Sequence, residues 1–153
     1  CPNASEKHKT WNLKYWIKLI TQLKKNKVLL IGLSFTKLGM EIKGYLHKHD
    51  YIWSNITISP IFNLKETAVL IKHCKVVIAP DSCILHISNL LGKKTIGIFG
   101  PTLGTWYCGY YNNCNILQGK TTYYRNRNST DKKCIYQIKP YMILNKLKII
   151  MKT

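Results

Sequence analysis

The run KVVIAPDSCILHISNLLGKKTIGIFGPT, residues 75–102, sets two short apolar stretches on either side of one helical period, and no other segment limits the possible folds so tightly. Lys75 to Ala79 is rich in β-branched residues and reads as a buried strand. Pro80 cannot extend a helix backwards through the turn, so the helix begins after it. Asp81 or Ser82 is placed to cap that helix by accepting from the free amides of its first turn. Ile84, Ile87 and Leu91 recur at helical spacing, which predicts a face packed on a sheet, and Gly92 ends the helix. Thr95 to Phe99 is then a second strand, with a tight turn from Gly100 to Thr102 at its carboxyl end. A strand, helix and strand joined this closely predict a right-handed crossover in a parallel sheet. Such sheets bind ligands just beyond the carboxyl ends of their strands, which makes the elbow at Asp81 and Ser82 the first candidate for a phosphate site.

The alternation continues elsewhere. Leu13, Trp16, Ile17, Ile20 and Leu23 mark one helix face, Val28 to Ile31 a strand, and Phe35, Leu38, Ile42 and Leu46 a second helix face. Asn55 to Ile58 predicts a short strand, and Asn63 with Glu66 gives a capping-box start to a helix from Leu64 to Lys72. A last helix is expected near Tyr141 to Ile150, after a polar, tyrosine-rich loop from Thr105 to Lys133. The pattern predicts one α/β domain over residues 1–153, a Rossmann-like doubly wound parallel sheet of about five strands. No apolar run approaches the roughly 20 residues that cross a bilayer. Cys1 to Lys9 carries neither an initiator methionine nor the apolar stretch of a signal peptide, and reads as a start within a longer chain.

Lys and Arg number 24 against 6 Asp and Glu, an excess that points to an anionic partner such as nucleic acid, lipid headgroups or a phosphorylated ligand. The lysines are spread over every segment, so a compositional bias of the source, with lysines on solvated faces, explains them equally well. The rarity of carboxylates lets each be weighed. Glu6, Glu41, Asp50 and Asp131 fall in expected loops or on helix surfaces, and Glu66 is a cap, which leaves Asp81 alone at the ligand-binding edge. Asp81 can also serve purely as a helix cap, and the two roles are compatible. His86 lies one turn into the same helix, where its ring can face back to the elbow or simply be packed. The histidines at 8, 47, 49 and 73 are read as structural. Cys108, Cys114 and Cys134 match no standard zinc spacing, although three cysteines in one polar segment can hold a metal or a disulfide; Cys74 and Cys83 are expected as small buried side chains. The sequons at Asn3, Asn55 and Asn128 are what an asparagine-rich chain contains by chance.

Taken in order, the motifs resemble glycosyltransferase family 9, the heptosyltransferases, and the resemblance spans nearly the whole chain. Family members carry a segment like PGAS, three variable residues, then K, one residue and W; here it reads PNASEKHKTW, with Ser5, Lys9 and Trp11 in register. They carry DSG or DTG, two residues and H, then a glycine- and lysine-rich strand and GPT; here these are DSCILH at Asp81 to His86 and GKKTIGIFGPT. The spacing of Leu64, Glu66 and Ala68, and the segment with Cys114, Cys134 and Ile138 to Pro140, resemble the family as well.

The resemblance implies the carboxyl-terminal, donor-binding half of a glycosyltransferase B architecture. Its partner would be a nucleotide-diphosphate sugar, usually ADP-heptose, and its product a heptose-like sugar added with inversion to a lipopolysaccharide core acceptor. By position, Ser5 and Lys9 would contact the diphosphate, Asp81 would face the donor sugar, and Ser82 with the amides of Ser82 and Cys83 would cradle a phosphate, with His86 close behind. The resemblance implies no metal or other cofactor. The catalytic base is not among these residues and would belong to an amino-terminal half, so this chain alone would bind donor without efficient transfer. A cytoplasmic location is implied, with peripheral contact to anionic inner membrane and no specific nucleic acid. Three departures stand out: Cys83 and Asn3 replace family glycines, and Ser34 to Lys37 offers no carboxylate where a donor-contacting glutamate is usual. Base recognition would fall to apolar loop contacts near Ile61 and Phe62. The alternative is a non-catalytic or decayed basic module that binds polyanions by charge.

Overall fold

The computed structural model describes residues 1–2, 4, 6–23, 26–32, 36–51, 55–121 and 134–152. Local chemistry starts three of its helices. Helix α1 (Leu13–Gln22) follows Asn12, whose Oδ1 accepts from the Lys14 amide at 2.8 Å. Helix α2 (Lys37–Lys48) follows Thr36, whose hydroxyl accepts from the Gly39 amide at 3.1 Å. Helix α3 (Leu64–His73) has both halves of the expected capping box: the Glu66 amide donates to Asn63 Oδ1, and the Asn63 amide donates to Glu66 Oε2. Helix α4 (Cys83–Leu90) ends before Gly92, whose φ of +69° lies in the left-handed region that glycine enters at least cost. A short helix α5 (Gly104–Cys108) and the long α6 (Pro140–Lys152) complete the set among the described residues.

Among the described residues, five strands alternate with these helices: β1 (Val28–Leu30), β2 (Ile56–Ile58), β3 (Val76–Pro80), β4 (Lys94–Phe99) and β5 (Cys114–Gln118). All pairings are parallel. They form two hydrogen-bonded groups, β1 with β2 and β3 with β4 and β5, in place of the single sheet expected from the alternation. The two groups nevertheless share one layer. Val28 and Leu30 of β1 pack into the same core as Val76 and Ile78 of β3, together with Trp16, Leu19 and Ile20 of α1, Ile42 and Leu46 of α2, and Ile143 and Ile150 of α6. Leu29 and Val77, which point the other way, meet Ile71 of α3 and Ile84 of α4. Helices thus cover both faces, as in a doubly wound α/β fold.

Three expectations are corrected. Residues 105–121 are not all loop, because they hold most of α5 and the whole of β5; the remainder of that predicted loop, 122–133, lies outside the described residues. Leu91 is not on the packed face of α4, where Leu85 is fully buried and Leu91 is exposed. Cys83 is exposed and Cys74 only half-buried, because Cys83 opens α4 at the edge of the sheet and Cys74 terminates α3.

The α-amino group of Cys1, in a partly buried setting, donates to the Ile78 carbonyl at 2.9 Å. Desolvation by burial lowers its pKa from 8.0 to about 5. Between those values the unfolded chain binds the extra proton and the folded chain does not, so stability rises with pH through that window. For a chain beginning with a free Cys1 amine, the urea midpoint is expected to climb from pH 5 to pH 8. Acetylating that amine should flatten the climb; an equal climb in both forms would place its origin elsewhere.

Candidate functional site

Three chain segments meet at the carboxyl edge of β3 and β4. The first is the one-turn 3-10 helix Lys7–Lys9, the second the elbow Asp81–Ser82 after β3, and the third the turn Gly100–Thr102 after β4. Gly100 permits their close approach, since a Cβ there would stand 2.9 Å from the Ile135 Cβ and 3.2 Å from the His8 carbonyl oxygen. The first turn is anchored from behind by Trp11, which is fully buried and donates from Nε1 to the Ile138 carbonyl at 2.8 Å.

This packing delivers the Lys9 ammonium to the elbow. Lys9 Nζ lies 2.8 Å from Asp81 Oδ2, and both side chains are largely buried, 17% and 6% exposed. The same carboxylate oxygen accepts from the Thr102 hydroxyl at 3.0 Å, and Oδ1 faces His86 Nε2 at 3.5 Å. Asp81 is therefore a junction of three segments. Glu6 supplies a second carboxylate, 3.8 Å from Lys9 Nζ and 3.3 Å from His8 Nε2. His86 also lies against the Tyr107 ring, with centroids 6.5 Å apart.

Ser82 stands at the amino end of α4 in an extended conformation, but its hydroxyl does not cap the helix. That hydroxyl is buried with no hydrogen-bond partner among the described residues. The Ser82 carbonyl already accepts from the Leu85 amide at 3.0 Å, which leaves the amides of Cys83 and Ile84 as the open donors of the first turn. An orphaned hydroxyl, open amides, the positive end of a helix dipole and a nearby ammonium form an anion-accepting surface.

Of the residues singled out in the sequence, Lys9, Asp81, Ser82, Cys83 and His86 come together here. Ser5, Asn3 and Ser34 lie outside the described residues. Ile61 is exposed, next to half-buried Phe62, in the segment between β2 and α3. Sequence reasoning missed Thr102 and Glu6. Thr102 was recoverable, because it closes the turn at the same sheet edge; Glu6 carried no signal beyond its nearness to Lys9. None of the six cysteines, Cys108 and Cys114 included, is in a disulfide. A hydrogen bond between their side chains pulls the Cys114 thiol down to about 6 and pushes Cys108 up. Among the described residues no group of three metal-ligating side chains converges, and no helix is long and apolar enough to cross a membrane.

The family model for glycosyltransferase family 9 (heptosyltransferase) matches residues 1–137. No curated protein matches the chain. Among solved structures, the chain is similar to the E. coli ADP-heptose lps heptosyltransferase II, at 21% identity and a TM-score of 0.76, over 98% of this chain and 44% of that one. It is also similar to the E. coli heptosyltransferase WaaC with ADP, at 18% identity and a TM-score of 0.74, over 97% of this chain and 42% of that one. A structure of WaaC with ADP-2-deoxy-2-fluoro heptose matches at 18% identity and a TM-score of 0.65, over 94% of this chain and 41% of that one. The chain thus spans less than half the length of each of these structures, and at such identities the likeness establishes the fold, Rossmann-like α/β.

Proposed function

Because the chain belongs to glycosyltransferase family 9, we propose that it is the donor-binding, carboxyl-terminal half of an inverting transferase that moves a heptose-like sugar from a nucleotide diphosphate to a lipopolysaccharide core acceptor. The observation that carries this reading is the 2.8 Å pair between Lys9 and Asp81 beside the orphaned Ser82 hydroxyl. ADP and an ADP-heptose analogue are named in two of the similar structures, which supports ADP-heptose as donor.

In this reading the diphosphate lies across the start of α4. The amides of Cys83 and Ile84 and the Ser82 hydroxyl donate to one phosphate, and Lys9 turns its remaining N–H groups toward the other, a contact that Ser5, outside the described residues, would share. When the acceptor hydroxyl attacks the anomeric carbon, the bond to the diphosphate oxygen breaks and negative charge grows on the leaving nucleotide. Lys9 and the helix dipole stabilise that charge more than the ground state, which is the condition for rate enhancement. Asp81 orients Lys9 and Thr102 and faces the donor sugar, with His86 behind it. The base that takes the acceptor proton, and most of the acceptor site, belong to an amino-terminal half. The reaction as read here uses a lysine and a helix terminus for the charge, at the cytoplasmic face of the inner membrane.

Calorimetric titration of an ADP-sugar into the chain tests this directly. Lys9→Ala and Asp81→Ala are each expected to weaken binding at least tenfold, about 1.4 kcal/mol. Lys48→Ala, at an exposed position at the end of α2, should leave it unchanged. Equal affinity in all four proteins would reject the site. Equal weakening by Lys9→Ala and Lys48→Ala, with a steep salt dependence shared by any polyanion, would mark a charge-driven module instead.

A further inference from the structure

Cys108 and Cys114 bracket the turn between α5 and β5, away from the contacts of the elbow. Cys108 closes α5 with its side chain fully buried, while Cys114 opens β5 and is half-buried. The turn folds back tightly: the Tyr111 amide donates to the Cys108 carbonyl at 3.1 Å and the Cys114 amide to the Tyr111 carbonyl at 3.2 Å. The two sulfurs meet, and the Cys108 thiol donates to that of Cys114. Polar groups hold them from behind. Asn89 of α4, itself buried, donates from Nδ2 to Cys108 Sγ at 3.3 Å. It is fixed in turn by the Thr95 hydroxyl, which donates to its Oδ1 at 2.5 Å, and by Asn113 Nδ2, which donates to its carbonyl at 3.2 Å. Thr95 also stands opposite Cys114 in the ladder of β4 and β5. A buried amide aimed at a sulfur is more than small apolar filling requires.

We propose that Cys108 and Cys114 form a reversible disulfide by exchange with a small-molecule disulfide of the glutathione class. Access sets the order of events, so Cys114, the more exposed sulfur, attacks first. Its thiolate is favoured by the hydrogen bond from Cys108, which holds its pKa down to about 6. The attack joins the Cys114 sulfur to one sulfur of the small disulfide and breaks that disulfide, and the departing thiolate takes up a proton. The Cys114 thiolate, whose hydrogen bond and charge help to push the Cys108 thiol up, is then gone, so Cys108 gives up its proton more readily. The Cys108 thiolate attacks the Cys114 sulfur, closes the internal bond and expels the second small thiol. In balance, the protein's two thiols are oxidised and the small disulfide is reduced to two thiols. The pair is also linked to the elbow. Tyr107 precedes Cys108 and lies against His86, whose Nε2 faces Asp81 Oδ1 at 3.5 Å, and the Asp81 charge contributes to the rise at Cys108. Closing the bond draws Cys108 from Asn89 toward Cys114 and carries Tyr107 with it, whatever the elbow binds.

Incubation of the chain with oxidised glutathione, followed by alkylation and tryptic mass spectrometry, tests the proposal. No lysine or arginine lies between Lys94 and Lys120, so both cysteines fall in one peptide, residues 95–120. That peptide is expected to lose two hydrogens and both of its alkylation sites, and dithiothreitol should restore them. Exposed Cys83 serves as the control and should carry at most a glutathione adduct. Cys108→Ser should trap glutathione on Cys114, because no second thiol completes the exchange, whereas Cys114→Ser should leave the buried Cys108 as a thiol. A peptide that keeps both thiols while Cys83 is modified, or a lasting glutathione adduct on Cys114 in the parent chain, would overturn the pair. Both of these outcomes are read on the parent chain, so the test stands even where Cys108→Ser does not fold. Oxidation should also shift the His86 ring signals in NMR spectra, and unchanged signals in the fully oxidised chain would break the link to the elbow.

Discussion

Trp11→Ala is expected to destabilise the domain by about 3–5 kcal/mol, the range for truncating a large buried aromatic. Trp11 is 1% exposed, and it meets Trp16 edge-on at 5.0 Å between centroids and Tyr15 at 5.5 Å. Its indole N–H also satisfies the Ile138 carbonyl just before α6, joining the two ends of the described chain. Truncation therefore opens a cavity and leaves a buried carbonyl unpaired. Trp11→Phe keeps most of the volume and loses the hydrogen bond, and should cost roughly 1–2 kcal/mol. Urea denaturation followed by circular dichroism would give both values. A loss below about 1 kcal/mol for the alanine variant would mean that the two ends are not held together through this ring. Since Trp11 lies just beyond the turn that carries Lys9, the same substitution should weaken nucleotide binding without touching the ligand.

How much of this was legible beforehand depended on range. The capping box of Asn63 and Glu66 involves neighbours in sequence and was readable outright, as was the strand expected over Thr95 to Phe99, which the structure shows as Lys94–Phe99, buried except at Lys94. Strand β5 was not, because its polar residues argued for a loop. The structure shows where those polar groups go: Asn115 Nδ2 donates to the Thr95 carbonyl at 3.2 Å, Gln118 Nε2 to the Gly100 carbonyl at 2.6 Å, and the Gly104 amide donates to Gln118 Oε1 at 2.8 Å. An outer strand can spend side chains on tertiary hydrogen bonds in a way that periodicity does not register. At the site, Asp81 and Ser82 were marked by the turn chemistry around them. Lys9 was reachable only through the order of motifs, since nothing local distinguishes it from the other lysines. The separation of β1 and β2 from β3, β4 and β5 was invisible for a different reason, because strand count follows from sequence pattern while strand adjacency is a matter of pairing.

The Lys9–Asp81 pair should behave as a unit when measured by a double-mutant cycle of stability. Each side chain is mostly withdrawn from water, so the ion pair cannot be valued as a surface bridge, and removing one partner strands the other. Lys9→Ala leaves Asp81 with the Thr102 hydroxyl at 3.0 Å and His86 at 3.5 Å as its polar contacts across the elbow, and is expected to cost about 3 kcal/mol. Asp81→Ala leaves Lys9 with Glu6 at 3.8 Å, a longer contact to a more exposed carboxylate, and should cost a similar amount, about 2–3 kcal/mol. The double variant removes both charges, and its loss should fall short of the sum by more than about 1 kcal/mol. Additive losses would show that the two groups do not depend on each other. The same cycle read out as nucleotide affinity separates holding from contact. If Asp81 acts chiefly by fixing the Lys9 ammonium over the start of α4, its removal weakens binding strongly in the parent chain and hardly at all once Lys9 is alanine. If Asp81 contributes mainly through its own contact with the donor sugar, its removal weakens binding by the same factor in both backgrounds.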